Sequence, residues 1–321
     1  MKTIQLKSFA KINLTLDVLS LLDNGYHEVA MIMQQILLCD DVDIKWIDAD
    51  NGSANDDLSP QNERISIELS TNRSYLPTDS RNLAYKAAAL MVDEFGVDKS
   101  GLIRIDIKKR IPVAAGLAGG SSNAAVVLHG LNKLWNLGLS VGDLCTLGSK
   151  LGSDIPFCVM GQAAANDALK DDFKDDPLAC HCALATGTGT DMKPLIGLKS
   201  HLVLSKPSIS VSTAEVYKGI DNEVIEIRPS NDEMVAALKA KDIDTVKKNL
   251  VNVLENFTLK RYPIVKYTKD KMSELCSSDS VLMSGSGPTV FGLCNNIAES
   301  KKVCEAMLEL NKESFWTRTT W

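Results

Sequence analysis

PVAAGLAGGSSNAA, residues 112–125, is the densest run of small side chains in the chain. What precedes and follows it defines its setting. Upstream, Ile103, Ile105 and Ile107 alternate on one face of a strand that leads through Arg110 and Ile111 into Pro112. Downstream, apolar residues at 124, 127, 128, 131, 134 and 135 recur at helical spacing. The stretch is therefore a loop feeding a helix that begins near Ser121 and Ser122. A helix N-terminus presents unpaired N–H groups and the positive end of the dipole. Gly116, Gly119 and Gly120 have no Cβ to keep a phosphate oxygen from the backbone. The two serines can cap the helix, bind phosphate or help hold magnesium. Yet the chain has neither G-x-x-x-x-G-K-[ST] nor G-x-G-x-x-G after a strand. Local mechanics leave two readings open: a phosphate cradle, or a capped helix after a flexible turn. A cradle would need its lysine from elsewhere.

Working outward, residues 4–18 alternate as a half-buried strand, with Lys11, Asn13, Thr15 and Asp17 opposite Ile12, Leu14, Leu16 and Val18. A second strand covers 29–47. Residues 48–63 are polar and turn-rich, a surface excursion; Ser59 where a closing Glu belongs excludes a calcium loop. Asn82 to Phe95 is an amphipathic helix closed by Gly96, and another runs from about 141 to 151. After about 160 comes an acidic, irregular stretch read as a solvated loop. Strands resume near 183 and 201, followed by helices near 213–219, 231–239 and 243–257. A strand near 281 enters a second small-residue loop, MSGSGPTVFGL, and a helix follows from about 298. The pattern is α+β with a boundary near 155–165.

At 321 residues, two domains are the default. A net charge of −6 argues against nucleic acid as a partner. No run of about 18 apolar residues and no signal-peptide core are present, so no membrane partner and a cytoplasmic location are expected. The eight cysteines lack framework spacing and read as free thiols. Cys180-His181-Cys182 has no second ligand pair at zinc-finger spacing, so no metal ligands are assigned.

Seven blocks stand in order along the chain: SFAKINLTL (8–16), DNGYHEV (23–29), NLAYKAA (82–88), IPVAAGLAGGSSNAA (111–125), GSDIPF (152–157), KPSISVSTAEVY (206–217) and SGSGPTVFGL (284–293). In these the chain resembles the GHMP kinases, small-molecule kinases whose phosphate loop is P-x-x-x-G-L-x-x-S-S before a helix. The resemblance implies an α+β two-domain fold with the active site in the cleft between domains: an N-terminal domain over 1–160 carrying the ATP loop, and a C-terminal domain over 161–321. It implies ATP and Mg2+ as cofactors. ATP would lie on Pro112, Val113, Ala114, Ala115, Gly116, Leu117, Ala118, Gly119, Gly120, Ser121 and Ser122, with Asn82 either reaching the nucleotide or only capping its helix. Lys11 would be the catalytic lysine and Asp154 the base. The resemblance in the GYH block implies a small-molecule substrate, a cytidine diphosphate sugar-alcohol. Tyr26 and Tyr217 would face its ring, His27 would bond the base edge, Thr213 would lie nearby and Asn13 would touch the substrate. The second loop would brace the first, or simply turn between strands. A monomer or weak homodimer is expected. Two alternatives remain: another kinase of the superfamily, acting on mevalonate, a sugar or homoserine, and a non-catalytic nucleotide-binding protein on the same fold.

Overall fold

The computed structural model describes residues 1–23, 25–49, 64–276 and 278–321. The polar excursion expected over 48–63 therefore lies almost wholly outside the described residues. Two long strands, β1 (Lys2–Leu21) and β2 (His27–Asp48), pair antiparallel and form the spine. Between them the chain turns back with Gly25 at φ 79°, a left-handed conformation that glycine adopts without a Cβ clash. Next come β3 (Ile65–Thr71), α1 (Leu83–Phe95), β4 (Gly101–Lys108), α2 (Gly119–Leu134), α3 (Val141–Ser149), α4 (Ile155–Ala165) and the single turn α5 (Lys170–Phe173). The hairpin β5 (Cys182–Thr186) and β6 (Asp191–Leu195) follows. The first sheet runs β3-β4-β2-β1-β8, where β8 is the two-residue strand Val251–Asn252, and β5 with β6 joins it through β2.

The second sheet is antiparallel, ordered β11-β7-β10-β9, from β7 (His201–Lys206), β9 (Val281–Met283), β10 (Val290–Cys294) and β11 (Glu313–Arg318). The helices of this half are α6 (Thr213–Ile220), α7 (Asn231–Ala240), α8 (Ile243–Lys248), α9 (Glu255–Arg261), α10 (Pro263–Leu275) and α11 (Ile297–Leu310). One apolar core lies under α1–α4; a second joins Ala10, Ile12 and Leu14 of β1 to Leu202, Leu204, Phe291 and Leu293 of the second sheet.

Three expectations are revised by this packing. β1 is not half-buried: residues 8–17 are all buried, because Thr15 and Asp17 meet Asn231 and Arg228 of the C-terminal half, while Lys11 and Asn13 meet Asp154 and Met31 of the N-terminal half. The helix expected over 243–257 is broken, because Val251 and Asn252 pair in parallel with Thr15 and Leu16. The acidic stretch after 165 is not merely solvated: Leu169 and Phe173 are buried, and the Phe173 ring meets His129 edge-on at 5.1 Å. The expected boundary at 160/161 falls inside α4, and the β5–β6 hairpin beyond it still belongs to the first sheet.

Candidate active site

β1 carries Lys11 between two register shifts in its pairing with β2, at Phe9/Lys11 and Asn13/Thr15. Bulges of this kind re-aim side chains at the cost of local pairing. The Lys11 side chain is only 5% exposed; its Nζ donates to Asn13 Oδ1 at 2.8 Å and lies 3.6 Å from Asp154 Oδ2. Asn13 is fully buried and donates in turn to the Met31 sulfur, 3.3 Å away. Asp154 sits at the N-cap of α4, ahead of Pro156, yet its side chain makes no capping bond. A carboxylate at that position ordinarily accepts from the first-turn amides. Here it is left for Lys11 and the cavity.

The loop before α2 alternates. Ala114, Gly116 and Ala118 take positive φ of 50°, 71° and 54°, while Ala115 and Leu117 plug into the second core. Left-handed residues that recur in this way make the backbone amides converge into a concave anion site. No side chain caps α2, so its first-turn amides add to the same positive end. The geometry fits a phosphate chain. Gly116 has no room for a side chain: a Cβ there would stand 2.1 Å from the Ser284 carbonyl oxygen. Ser284 Oγ donates to the Gly116 carbonyl at 2.9 Å, and the Lys11 amide donates to that of Leu117 at 3.2 Å.

The two serines differ. Ser122 is fully buried and donates to the Phe9 carbonyl at 2.7 Å, so it serves the fold. Ser121 lines the cavity. Among the described residues no group of three or more His, Cys, Asp or Glu could cage a metal.

Lys11, Gly116, Ser121 and Asp154 share one cavity of about 910 Å³ with Tyr26, His27, Thr213 and Tyr217. Its walls come from both halves. His27, at the start of β2, places Nε2 2.8 Å from Asp221 Oδ1, at the end of α6. The His27 and Tyr217 rings stand 5.3 Å apart at 46°. Burial pushes the Tyr217 phenol above its usual range, and the Asp154 carboxylate pushes it the same way. Thr213 Oγ1 and Ser286 Oγ are 3.0 Å apart, tying α6 to the second loop. That loop is both the β9–β10 turn and a brace for Gly116.

Two family models match in sequence order, the GHMP kinases N terminal domain over residues 82–162 and the GHMP kinases C terminal over 234–313. The chain belongs to the GHMP kinase family. A relative from Alkaliphilus metalliredigens (strain QYMF), named 4-diphosphocytidyl-2-C-methyl-D-erythritol kinase, is 41% identical, covering 100% of this chain and 99% of its own. One of the same name from Geobacillus sp. (strain WCH70) is 44% identical over 92% and 90% of the two chains. Among solved structures, a 4-(cytidine 5'-diphospho)-2C-methyl-D-erythritol kinase superposes with a TM-score of 0.76 at 26% identity, covering 99% of this chain and 100% of its own. The homoserine kinase from Cytophaga hutchinsonii matches at 0.64 and 16% identity, covering 100% and 95%, a likeness of fold alone.

Within this GHMP kinase, not every expected residue reaches the cavity. Asn82 is committed to its helix: Oδ1 accepts from the Ala84 amide at 3.0 Å and Nδ2 donates to the Pro77 carbonyl at 2.8 Å. Asn13 and Ser122 stand behind the lining, holding Lys11 and β1. Sequence reasoning missed Asp221 and Asn252, and took Ser286 only as part of the second loop. The Asn252 amide donates to the carbonyls of Met283 and Gly285, both at 2.8 Å, and so holds the second loop. The one signal for it was the pair of polar residues, Asn249 and Asn252, interrupting an otherwise helical 243–257.

Proposed function

We propose that this kinase transfers the γ-phosphoryl group of ATP to the C2 hydroxyl of 4-diphosphocytidyl-2-C-methyl-D-erythritol, in the non-mevalonate supply of isopentenyl diphosphate. The full-length relatives of that name support the reaction. The observation that carries it is the buried Lys11 set 3.6 Å from a non-capping Asp154, in one cavity with the loop and with His27 and Tyr217.

In this reading the amides of residues 114–121 bind the phosphate chain, and Asp154 accepts the proton of the attacking hydroxyl. Lys11, held by Asn13, faces Asp154 and offsets charge as it builds on the transferred group. Magnesium carried on the nucleotide phosphates would neutralise part of that charge, with Ser121 the hydroxyl nearest the loop able to meet it. Most of the acceleration in phosphoryl transfer comes from positioning and charge neutralisation; general-base help supplies roughly 10²–10⁴-fold. Tyr26 and Tyr217 offer faces to the cytosine ring, worth about 1–3 kcal/mol per stacked base. His27, with Nε2 on Asp221, offers its other nitrogen to the base edge. A cytoplasmic location, where ATP is supplied, belongs to the same proposal.

The test is ADP release with a panel of alcohols: mevalonate, homoserine, a hexose and the cytidine diphosphate substrate. Turnover confined to the last, with CMP competing against it, is the expected result. Turnover of another alcohol with no effect of CMP would overturn the cytidine reading. Nucleotide binding without turnover of any of them would overturn the kinase reading.

A further inference from the structure

Outside the cavity, the strongest unused cluster is a buried ion pair beneath the phosphate loop. Asp40 of β2 is fully buried, and its carboxylate accepts four hydrogen bonds. Oδ1 takes the amides of Arg110 and Ile111 at 2.7 and 2.8 Å. Oδ2 takes Lys109 Nζ at 2.5 Å and Asn123 Nδ2 at 2.9 Å. Lys109 Nζ also donates to Asn123 Oδ1 at 3.1 Å, and Asn123 Nδ2 to Ser8 Oγ at 2.9 Å. Lys109, Arg110 and Ile111 are the incoming arm of the loop; Asn123 is in the first turns of α2, its outgoing arm. Ser8 is on β1, three residues before Lys11. One carboxylate thus gathers both ends of the loop against the strand that carries the lysine.

A structural ion pair this deeply buried is weak evidence for stability, because desolvation offsets most of the attraction. Its placement is the informative part. Ala114 and Ala118 have side chains yet hold left-handed backbone, a conformation that persists only where the surroundings over-determine it. Free to relax, both alanines would leave it, and the amides would cease to converge.

We propose that Asp40, with Lys109 and Asn123, is a positioning cluster that keeps the loop in its phosphate-binding shape before nucleotide arrives. Asp40 touches no ligand; it acts through the two arms. This rests on the reading that residues 112–122 hold ATP, so the experiment separates the two.

Binding of ADP with Mg2+, and separately of CMP, is measured by calorimetry on the wild-type chain, Asn123→Ala, Asp40→Asn, and Asp40→Asn with Lys109→Met. Asn123→Ala keeps the Asp40–Lys109 ion pair and removes the bonds by which the outgoing arm holds Asp40, Lys109 and Ser8. It is expected to weaken ADP about ten-fold, the worth of a hydrogen bond to a charged group, and to leave CMP within two-fold. Asp40→Asn should weaken ADP further, and adding Lys109→Met, which removes the stranded buried cation, should restore thermal stability without restoring ADP affinity. Should Asp40→Asn fail to fold, Asn123→Ala decides. ADP affinity within two-fold of wild type in Asn123→Ala overturns the proposal, and so does parallel loss of ADP and CMP, which marks a general structural role. A wild-type chain that binds CMP but no ADP sinks the nucleotide reading of the loop, and the cluster's role with it.

Discussion

Replacing Asp154 with asparagine removes the charge and the proton acceptor while keeping the shape. The folding effect is small by the geometry. Asp154 makes no capping bond, and its side chain is 33% exposed on the cavity side, so its 3.6 Å pairing with the buried Lys11 is partly solvated and worth about 1 kcal/mol. Lys11 keeps its bond to Asn13 and lines the open cavity, where solvent reaches it, so losing the carboxylate does not strand it as a fully enclosed cation. For a chain of this size 1 kcal/mol moves Tm by about 2–4 °C at most. Loss of a general base costs roughly 10²–10⁴ in rate, equivalent to about 3–5 kcal/mol of barrier. The two scales are far enough apart to separate. Steady-state ADP release at saturating ATP and acceptor should therefore fall by about 10³-fold, with Tm within a few degrees and ADP affinity unchanged by calorimetry. An internal check needs no turnover: the Asp154 carboxylate raises the Tyr217 phenol, so the variant should bring that phenol down, though not to an exposed tyrosine's range, since burial is the larger cause. It is read by ultraviolet titration against a Tyr217→Phe control. A kcat within ten-fold of wild type would refute the base assignment, and an unmoved phenol would refute the geometry behind it.

Three further outcomes follow from the cavity and its supports. Gly116→Ala places a Cβ 2.1 Å from the Ser284 carbonyl at a backbone φ of 71°, so the two loops must part; Tm should drop by several degrees and ADP affinity by ten-fold or more, in scanning fluorimetry and calorimetry. His27→Ala should weaken CMP inhibition about ten-fold while leaving ADP affinity within two-fold, and equal loss of both would count against its place at the base edge. Burial, helped by Asp154, pushes the Cys158 thiol up to about 12, so at pH 8 iodoacetamide should leave Cys158 unlabelled in the native protein and label it after unfolding, as peptide mass spectrometry would show.

The local readings survived where a periodic pattern and a stop signal coincided. Asn82 caps α1 and Gly96 closes it, and Ile103, Ile105 and Ile107 lie on the buried face of β4. What sequence could not give was the choice of partner. His27 and Asp221 are 194 residues apart, and Asp40 is 70 from Arg110. An aspartate followed by Asp41 and Asp43 looks like one more solvated charge until the fold buries it. Lys11 shows the same limit from the other side. Alternation placed it correctly with Asn13, but read that face as open to water, because the residues that enclose its cavity, Asp154 and Ser286 among them, lie 143 and 275 residues downstream.

The loop at 112–125 makes the point most sharply, because its composition misdirects. Glycines suggest that flexibility lets the backbone approach a phosphate, yet two of the three left-handed residues before α2 are alanines. Each costs of order 1–2 kcal/mol that a glycine would not incur. Offsets arrive from outside the loop, through the Lys11 amide on Leu117, Ser284 on Gly116, the core contacts of Ala115 and Leu117, and Asp40 at both arms. A flexible glycine loop would have to order itself around each nucleotide and lose entropy in doing so. An alanine-bearing loop held at several points has met that cost in folding, so its nucleotide affinity depends on residues that never touch the nucleotide.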